Sequence, residues 1–277
     1  MCLIALGWRA LPAYRLVVAA NRDEYFGRPS AAADFWDDHR TVLAGRDLEA
    51  GGTWLGITLE GRFAALTNYR NPAERRTGVP SRGALVSDFL IGKATPAEYV
   101  KEIGQKATDF NGFSLLAGDP EALWFISNRG GRALRVEPGV HGLSNHLLDT
   151  PWPKVERAKA RFAEQLKRPF DAAAAFALLG DTERATSSEL PSTGVSLELE
   201  ERLSAIRILA AGGYGTRCST VLCFTTDGRL EFHERSYRED GGEGATISYR
   251  MTLSGGKARG SSRRAESRPR GTPLPAR

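Results

Sequence analysis

Cys2 is the first residue whose position and type suggest chemistry. A small residue after Met1 permits removal of that methionine, which would leave a thiol and a free α-amine on one carbon. Such an amine ordinarily titrates near about 8, so it can take a proton at neutral pH. The thiolate is the nucleophile, and positive charge nearby raises its population. One residue would then supply nucleophile and base together. The ordinary alternative is a small buried cysteine in an edge strand.

Asn21-Arg22-Asp23-Glu24 is the second concentration of reactive types. It follows the apolar run Val17-Val18-Ala19-Ala20, so four polar groups crowd the end of one strand. If the strands at 2–6 and 14–20 pair as neighbours, that end lies near Cys2. Asp23 can then accept from the amine, and Arg22 can favour the thiolate. A surface turn with a solvated ion pair is the competing reading. Cys218 and Cys223 form no metal or disulfide pattern and read as buried hydrophobes. His39, His141, His146 and His233 show no metal-ligand spacing, so no metal site is expected.

The elements that must position these residues are mostly short strands. Strands are expected at 2–6 and 14–20, at 53–59 and 62–69 around Glu60-Gly61, and at 113–117 and 123–127, continued by 133–136. Others are expected at 218–226 and 229–237 around Asp227-Gly228, a strong hairpin signal, and at 246–253. Helices are expected at 84–91, at 97–106 after Thr95-Pro96, and at 153–166, 169–179 and 197–209. Val155, Ala158, Phe162 and Leu166 share one helical face. Antiparallel hairpins with grouped helices predict an α+β domain over residues 1–254.

Composition narrows the functional classes. The chain has 277 residues, 41% hydrophobic and 26% charged, and no apolar run long enough to span a membrane. No export-type signal is recognisable at the N-terminus, so the cytoplasm is the expected location. The net charge of +5 is misleading as a nucleic-acid signature. Residues 255–277 carry seven basic side chains and one acidic one, a local +6, which leaves −1 for the rest. The segment is rich in Gly, Ser, Pro and Arg, and is expected to be a disordered basic tail without a specific nucleic-acid partner.

Several blocks carry a family resemblance. Met1-Cys2-Leu3-Ile4, Asn21-Arg22-Asp23-Glu24, Gly51-Gly52-Thr53-Trp54-Leu55-Gly56 and Leu66-Thr67-Asn68-Tyr69-Arg70 occur in order. Gly142-Leu143-Ser144-Asn145, Asp149-Thr150-Pro151-Trp152-Pro153-Lys154 and Gly215-Thr216-Arg217-Cys218-Ser219-Thr220 follow. Together they resemble the NRDE family, also called the transport and Golgi organisation protein 2 family. The resemblance implies the four-layer αββα sandwich of N-terminal-nucleophile hydrolases, two antiparallel sheets between helix layers. A more distant similarity is to choloylglycine hydrolases and penicillin V acylases, which cleave non-peptide amides.

By that similarity Cys2 is nucleophile and base, and Asp23 orients its amine. Asn68 is an oxyanion donor, Asn145 bonds the amine or the substrate carbonyl, and Arg217 sets the local field. Asn21, Arg22, Gly52, Trp54 and His146 are the expected substrate contacts. One departure stands out: those hydrolases carry Arg three residues before the Asp, where this chain has Ala20 and places Arg22 beside Asp23. Gly51-Gly52 also reads as a tight turn, Trp54 as core, Asn68 and Asn145 as turn residues, and Arg217 as a structural ion pair.

Two functions follow. The first is hydrolysis of a linear amide through a Cys2 acyl-enzyme, with a small-molecule amide as substrate and no cofactor required. The alternative is a non-catalytic protein that binds and carries haem, a lipid or acyl-CoA in the same pocket, since the family resemblance links it to haem mobilisation and lipid homeostasis. Cys2 and His146 are then the candidate haem ligands.

Overall fold

The computed structural model describes residues 2–254 and 257–266. In chain order the elements are β1 (Cys2–Leu11), β2 (Tyr14–Tyr25), β3 (Ser30–Phe35), β4 (Val42–Asp47), β5 (Leu55–Thr58) and β6 (Phe63–Asn68). Then come α1 (Gly83–Ile91), α2 (Pro96–Lys106), β7 (Phe113–Gly118), β8 (Leu123–Ser127), β9 (Leu134–Arg135) and β10 (Gly139–Leu143). The remainder are α3 (Pro153–Leu166), α4 (Ala172–Leu179), α5 (Leu197–Leu203), β11 (Tyr214–Thr225), β12 (Arg229–Tyr237), β13 (Glu243–Ser254) and β14 (Lys257–Glu266).

These strands form two antiparallel sheets, ordered β10-β1-β2-β11-β12-β13-β14 and β3-β4-β5-β6-β7-β8-β9. Three apolar cores hold the layers together. Ile4, Leu6, Leu16 and Val18 of the first sheet meet Leu43, Ile57, Phe63 and Leu116 of the second in a core between the sheets. Leu3, Ala5, Val17 and Ala19 pack outward on Val155, Phe162, Phe176 and Leu179 of α3 and α4. On the far face, Ala64, Leu66 and Leu115 pack on Val86, Phe89, Val100 and Ile103 of α1 and α2. The order helix, sheet, sheet, helix is therefore built from residue alternation: odd and even positions of β1 and β2 serve different cores.

Local chemistry starts and stops the elements. Thr95 and Glu98 make a reciprocal capping box at α2, with Pro96 in its first turn. The stripe Val155, Ala158, Phe162, Leu166 is the buried face of α3. Gly228 takes φ of 88° in the β11–β12 turn, a conformation that suits glycine.

The expected strand at 2–6 extends to Leu11, and the one at 14–20 runs on to Tyr25, so the Asn-Arg-Asp-Glu block lies inside β2. The third helix of the expected trio ends at Leu203, not 209, and the second begins at Ala172. β3, β4 and β10 had no sequence expectation. Within the expected basic tail, Lys257–Glu266 is placed as the edge strand β14, paired with β13. Residues 255–256 and 267–277 of that expectation lie outside the described residues. Among the described residues no helix is long and apolar enough to cross a membrane.

Candidate active site

Hairpin pairing decides what lies beside Cys2. In the β1–β2 register Cys2 sits opposite Arg22 and Leu3 opposite Asn21. Cys2 shares its face with Ile4 and Leu6, turned toward the second sheet, at the point where the apolar core gives way to a cavity of about 780 Å³. Cys2, Arg22 and Asp23 line this cavity from the first sheet, and Trp54, Leu66, Asn68, Tyr69 and Arg70 line it from the second. Asn145 and Arg82 close it from loops, and Val195, Leu199 and Leu203 from the region of α5.

Burial sets the electrostatics around the thiol. It pushes the Cys2 thiol above its ordinary value; Asp23 adds to this, while the chain's terminal ammonium and Arg22 act against it. Burial likewise raises the Asp23 carboxyl, opposed by the terminal ammonium, Lys154 and a hydrogen bond from Thr216. That bond, from Thr216 Oγ1 to Asp23 Oδ1, measures 2.6 Å, and the same hydroxyl accepts from the Ile208 amide at 2.8 Å. Asp23 is thus fixed from β11 as well as from its own strand.

Asn68 ends β6. Its backbone carbonyl accepts from Asn145 Nδ2 at 2.9 Å, so Asn145 steadies the strand end that presents the Asn68 side chain. Asn145 is fully buried with φ of 55°, a left-handed conformation that Asn tolerates. Its neighbour Ser144 donates to the Cys2 carbonyl at 2.9 Å, tying the loop to the start of β1.

The other expected residues divide. Trp54 stacks under Arg22, whose guanidinium carbon is 4.1 Å from the ring centre. Gly52 does not line the cavity, but its α-carbon presses on α1: a Cβ there would meet the Gly83 carbonyl carbon at 2.5 Å and its oxygen at 2.7 Å. It lets Gly83 and Thr53, which do line the cavity, come together. Asn21 lies on the opposite face of β2 from Arg22. Its Nδ2 donates to the carbonyls of Leu179 and Ile206, so it anchors the helical layer instead of contacting the cavity.

Arg217 also stands apart from the cavity wall. A bulge between Thr216 and Cys218 turns it toward the carbonyls of Tyr25 and Arg28, where it braces the segment after β2. His146 is behind Tyr69: its Nε2 meets the Tyr69 hydroxyl at 2.6 Å and its Nδ1 the Thr150 hydroxyl at 2.8 Å. Both ring nitrogens are engaged, and of the two haem ligands named from sequence only Cys2 lines the cavity. No cluster able to hold a metal ion occurs among the described residues.

Sequence reasoning missed three charged groups. Arg70 and Glu200 form a buried ion pair at 2.5 Å, with Arg70 4.8 Å from the centre of Trp152. Lys154, in the first turn of α3, is 1% exposed, and its Nζ has no hydrogen-bond partner among the described residues. Burial and Arg70 lower its pKa to about 8, with Asp23 and Cys2 acting in the opposite sense. Both Arg70 and Lys154 lie inside blocks quoted for the family resemblance, which was the available signal.

The wall therefore joins a thiol, a carboxyl, amide side chains and several cations, arranged where two sheets part. Such a set can hold a carbonyl near the thiol and donate to oxygen as charge develops.

A family model described as Transport and Golgi organisation 2 matches residues 1–239. The chain is 39% identical over 261 residues to the Transport and Golgi organization protein 2 homolog of Bos taurus, covering 85% of this chain and 93% of the bovine protein. It is 36% identical over 277 residues to the Homo sapiens homolog, covering 91% and 99%. Among solved structures, a conjugated bile acid hydrolase from Clostridium perfringens is similar with a TM-score of 0.44 at 11% identity, over 90% of this chain and 96% of that one.

Proposed function

The chain belongs to the Transport and Golgi organisation 2 family, and we propose that it is an N-terminal-cysteine amidohydrolase acting on a linear, non-peptide amide. The observation that supports this reading is that Cys2, Asp23, Asn68 and Asn145 all line one cavity.

In this mechanism Met1 is removed and the Cys2 α-amine takes the thiol proton, directly or through water. The sulfur attacks the carbonyl carbon, a C–S bond forms, and the carbonyl oxygen takes up the negative charge. Asn68 Nδ2, held by the Asn145-braced strand end, donates to that oxygen; such donors contribute on the order of 3 kcal/mol. The tetrahedral centre then collapses. The C–N bond breaks and the departing amine carries away the proton held by the α-amine. Water, deprotonated by the same amine, attacks the thioester, and the carboxylic acid leaves as the thiol re-forms.

Asp23 is the counter-charge that orients the α-amine. Lys154 and Arg70 act on the same carboxyl and favour its charged form. Release of free amine from a panel of N-acyl amides tests the reading. Wild-type protein is expected to turn over at least one member, and Cys2→Ala none. Equal release by both proteins would remove Cys2 from the chemistry.

A further inference from the structure

Arg22 makes no ion pair with a described residue, although its charge acts on the buried Glu234 carboxyl. It is 6% exposed, lies on the Trp54 ring and lines the cavity, yet it makes no hydrogen bond or ion pair with a described residue. A guanidinium offers five donors in a planar fork, and withdrawing it from bulk water without a partner is unfavourable. The neighbouring acids are otherwise engaged. Glu234 is buried on β12 and accepts from the Ala33 amide at 2.7 Å and from Thr220 Oγ1 at 3.5 Å. Glu24 folds back to accept from the Tyr25 amide at 2.9 Å. Burial favours the neutral form of the Cys2 thiol, so the resting protein does not supply an anion there.

A second cation stands on another part of the wall. Arg82, just before α1, spends Nη1 on the Gly112 carbonyl at 3.0 Å, which leaves the rest of its fork available. Other cavity charges cancel locally: Arg28 pairs with Asp47 at 2.7 Å and Glu49 at 3.2 Å, Arg70 with Glu200, and Glu74 with Arg129. Arg22 and Arg82 make no ion pair with a described residue, and Asp23 and Glu24 are the carboxylates that share this part of the wall with them.

We propose that Arg22, assisted by Arg82, forms an anion subsite beside Cys2, and that the ligand of this cavity carries a carboxylate. The planar fork of Arg22, fixed flat on Trp54, suits two parallel hydrogen bonds to a carboxylate. Val195, Leu199 and Leu203 offer an apolar wall to the remainder of the molecule. The subsite deepens the hydrolase reading by naming the substrate class, a carboxylate-bearing amide, but its binding step does not depend on turnover.

The test uses full-length Cys2→Ala protein, in which hydrolysis is blocked, and isothermal titration with N-decanoyl-4-aminobutyrate and with its methyl ester. The acid is expected to bind at least about tenfold more tightly than the ester, and more weakly as salt rises. Arg22→Gln is expected to erase that preference, Arg82→Gln to reduce it, and Arg22→Lys to restore part of it, each with thermal unfolding showing a folded protein. Equal affinity for acid and ester, no detectable binding of the acid at millimolar concentration, or an acid preference that survives in folded Arg22→Gln protein would overturn the subsite. Tight acid binding without turnover by wild-type protein would instead retain the subsite and sink the hydrolase reading.

Discussion

The two ends of the β1–β2 hairpin handle charge in opposite ways. At the Cys2 end Arg22, Asp23, Arg70, Lys154 and Glu200 are all buried, and Arg22 and Lys154 make no hydrogen bond with a described residue. At the turn end Arg9 and Arg15 reach Glu121 at 3.3 and 3.7 Å, Arg9 also holds the Pro120 carbonyl, and these groups are solvent-accessible. The turn end follows the usual rule that charge stays in water and pairs loosely. The Cys2 end violates it, and burying unpaired charge is tolerated where a function exploits it. The same two strands thus present one end where charge is solvated and one where it is buried, and the buried one carries the thiol.

The largest expected effect is at Cys2 itself. Cys2→Ala should lower amide turnover by roughly 10⁴-fold or more, measured as amine release, because no other group on the wall replaces the nucleophile. Asn68→Ala should cost about 10²–10³-fold in kcat with the fold intact, the signature of a lost oxyanion donor. An unchanged kcat would mean that Asn68 serves the strand end only.

Lys154→Met should stabilise the protein by on the order of 3 kcal/mol at pH 7. The sign follows from its pKa of about 8 in the fold against an ordinary 10.5. Between these values the unfolded chain binds more protons, so the penalty for charging Lys154 is fully present below pH 8 and fades as pH rises toward 10.5. Urea unfolding of wild type and variant at pH 7 and pH 10 should show the gap closing. A constant gap would assign the effect to packing.

Gly52→Ala should destabilise by about 1–3 kcal/mol, since its Cβ would press on the Gly83 backbone, which cannot rotate away. The smallest effect belongs to the other end of the hairpin: Glu121→Ala should change stability by no more than about 1 kcal/mol. A large loss there would erase the contrast between the two ends.

Much of this contrast was legible in the sequence. The expected pairing of the strands at 2–6 and 14–20 brought the end of the Asn21–Glu24 block near Cys2, and the Asp227-Gly228 turn and the α3 stripe were read correctly. β3 was hidden because Ser30-Ala31-Ala32-Ala33 lacks the branched residues of a typical strand; its pairing with β4 and the burial of Ala33 define it. Asn21 looked like a site residue by adjacency, but the two-residue period of a strand sends it to the helical layer. Arg217 was displaced by a bulge, which one sequence does not announce. Lys154 drew no reading of its own beyond its family block, because only tertiary packing makes a first-turn lysine dry.

Intact-protein mass spectrometry of wild-type protein quenched during turnover of an N-acyl amide, with fragmentation to locate the added mass, interrogates the nucleophile itself. The expected spectrum shows a chain lacking Met1 and carrying one acyl group on Cys2. Retained Met1 in the active protein, or an acyl group on any other residue, would contradict the assignment.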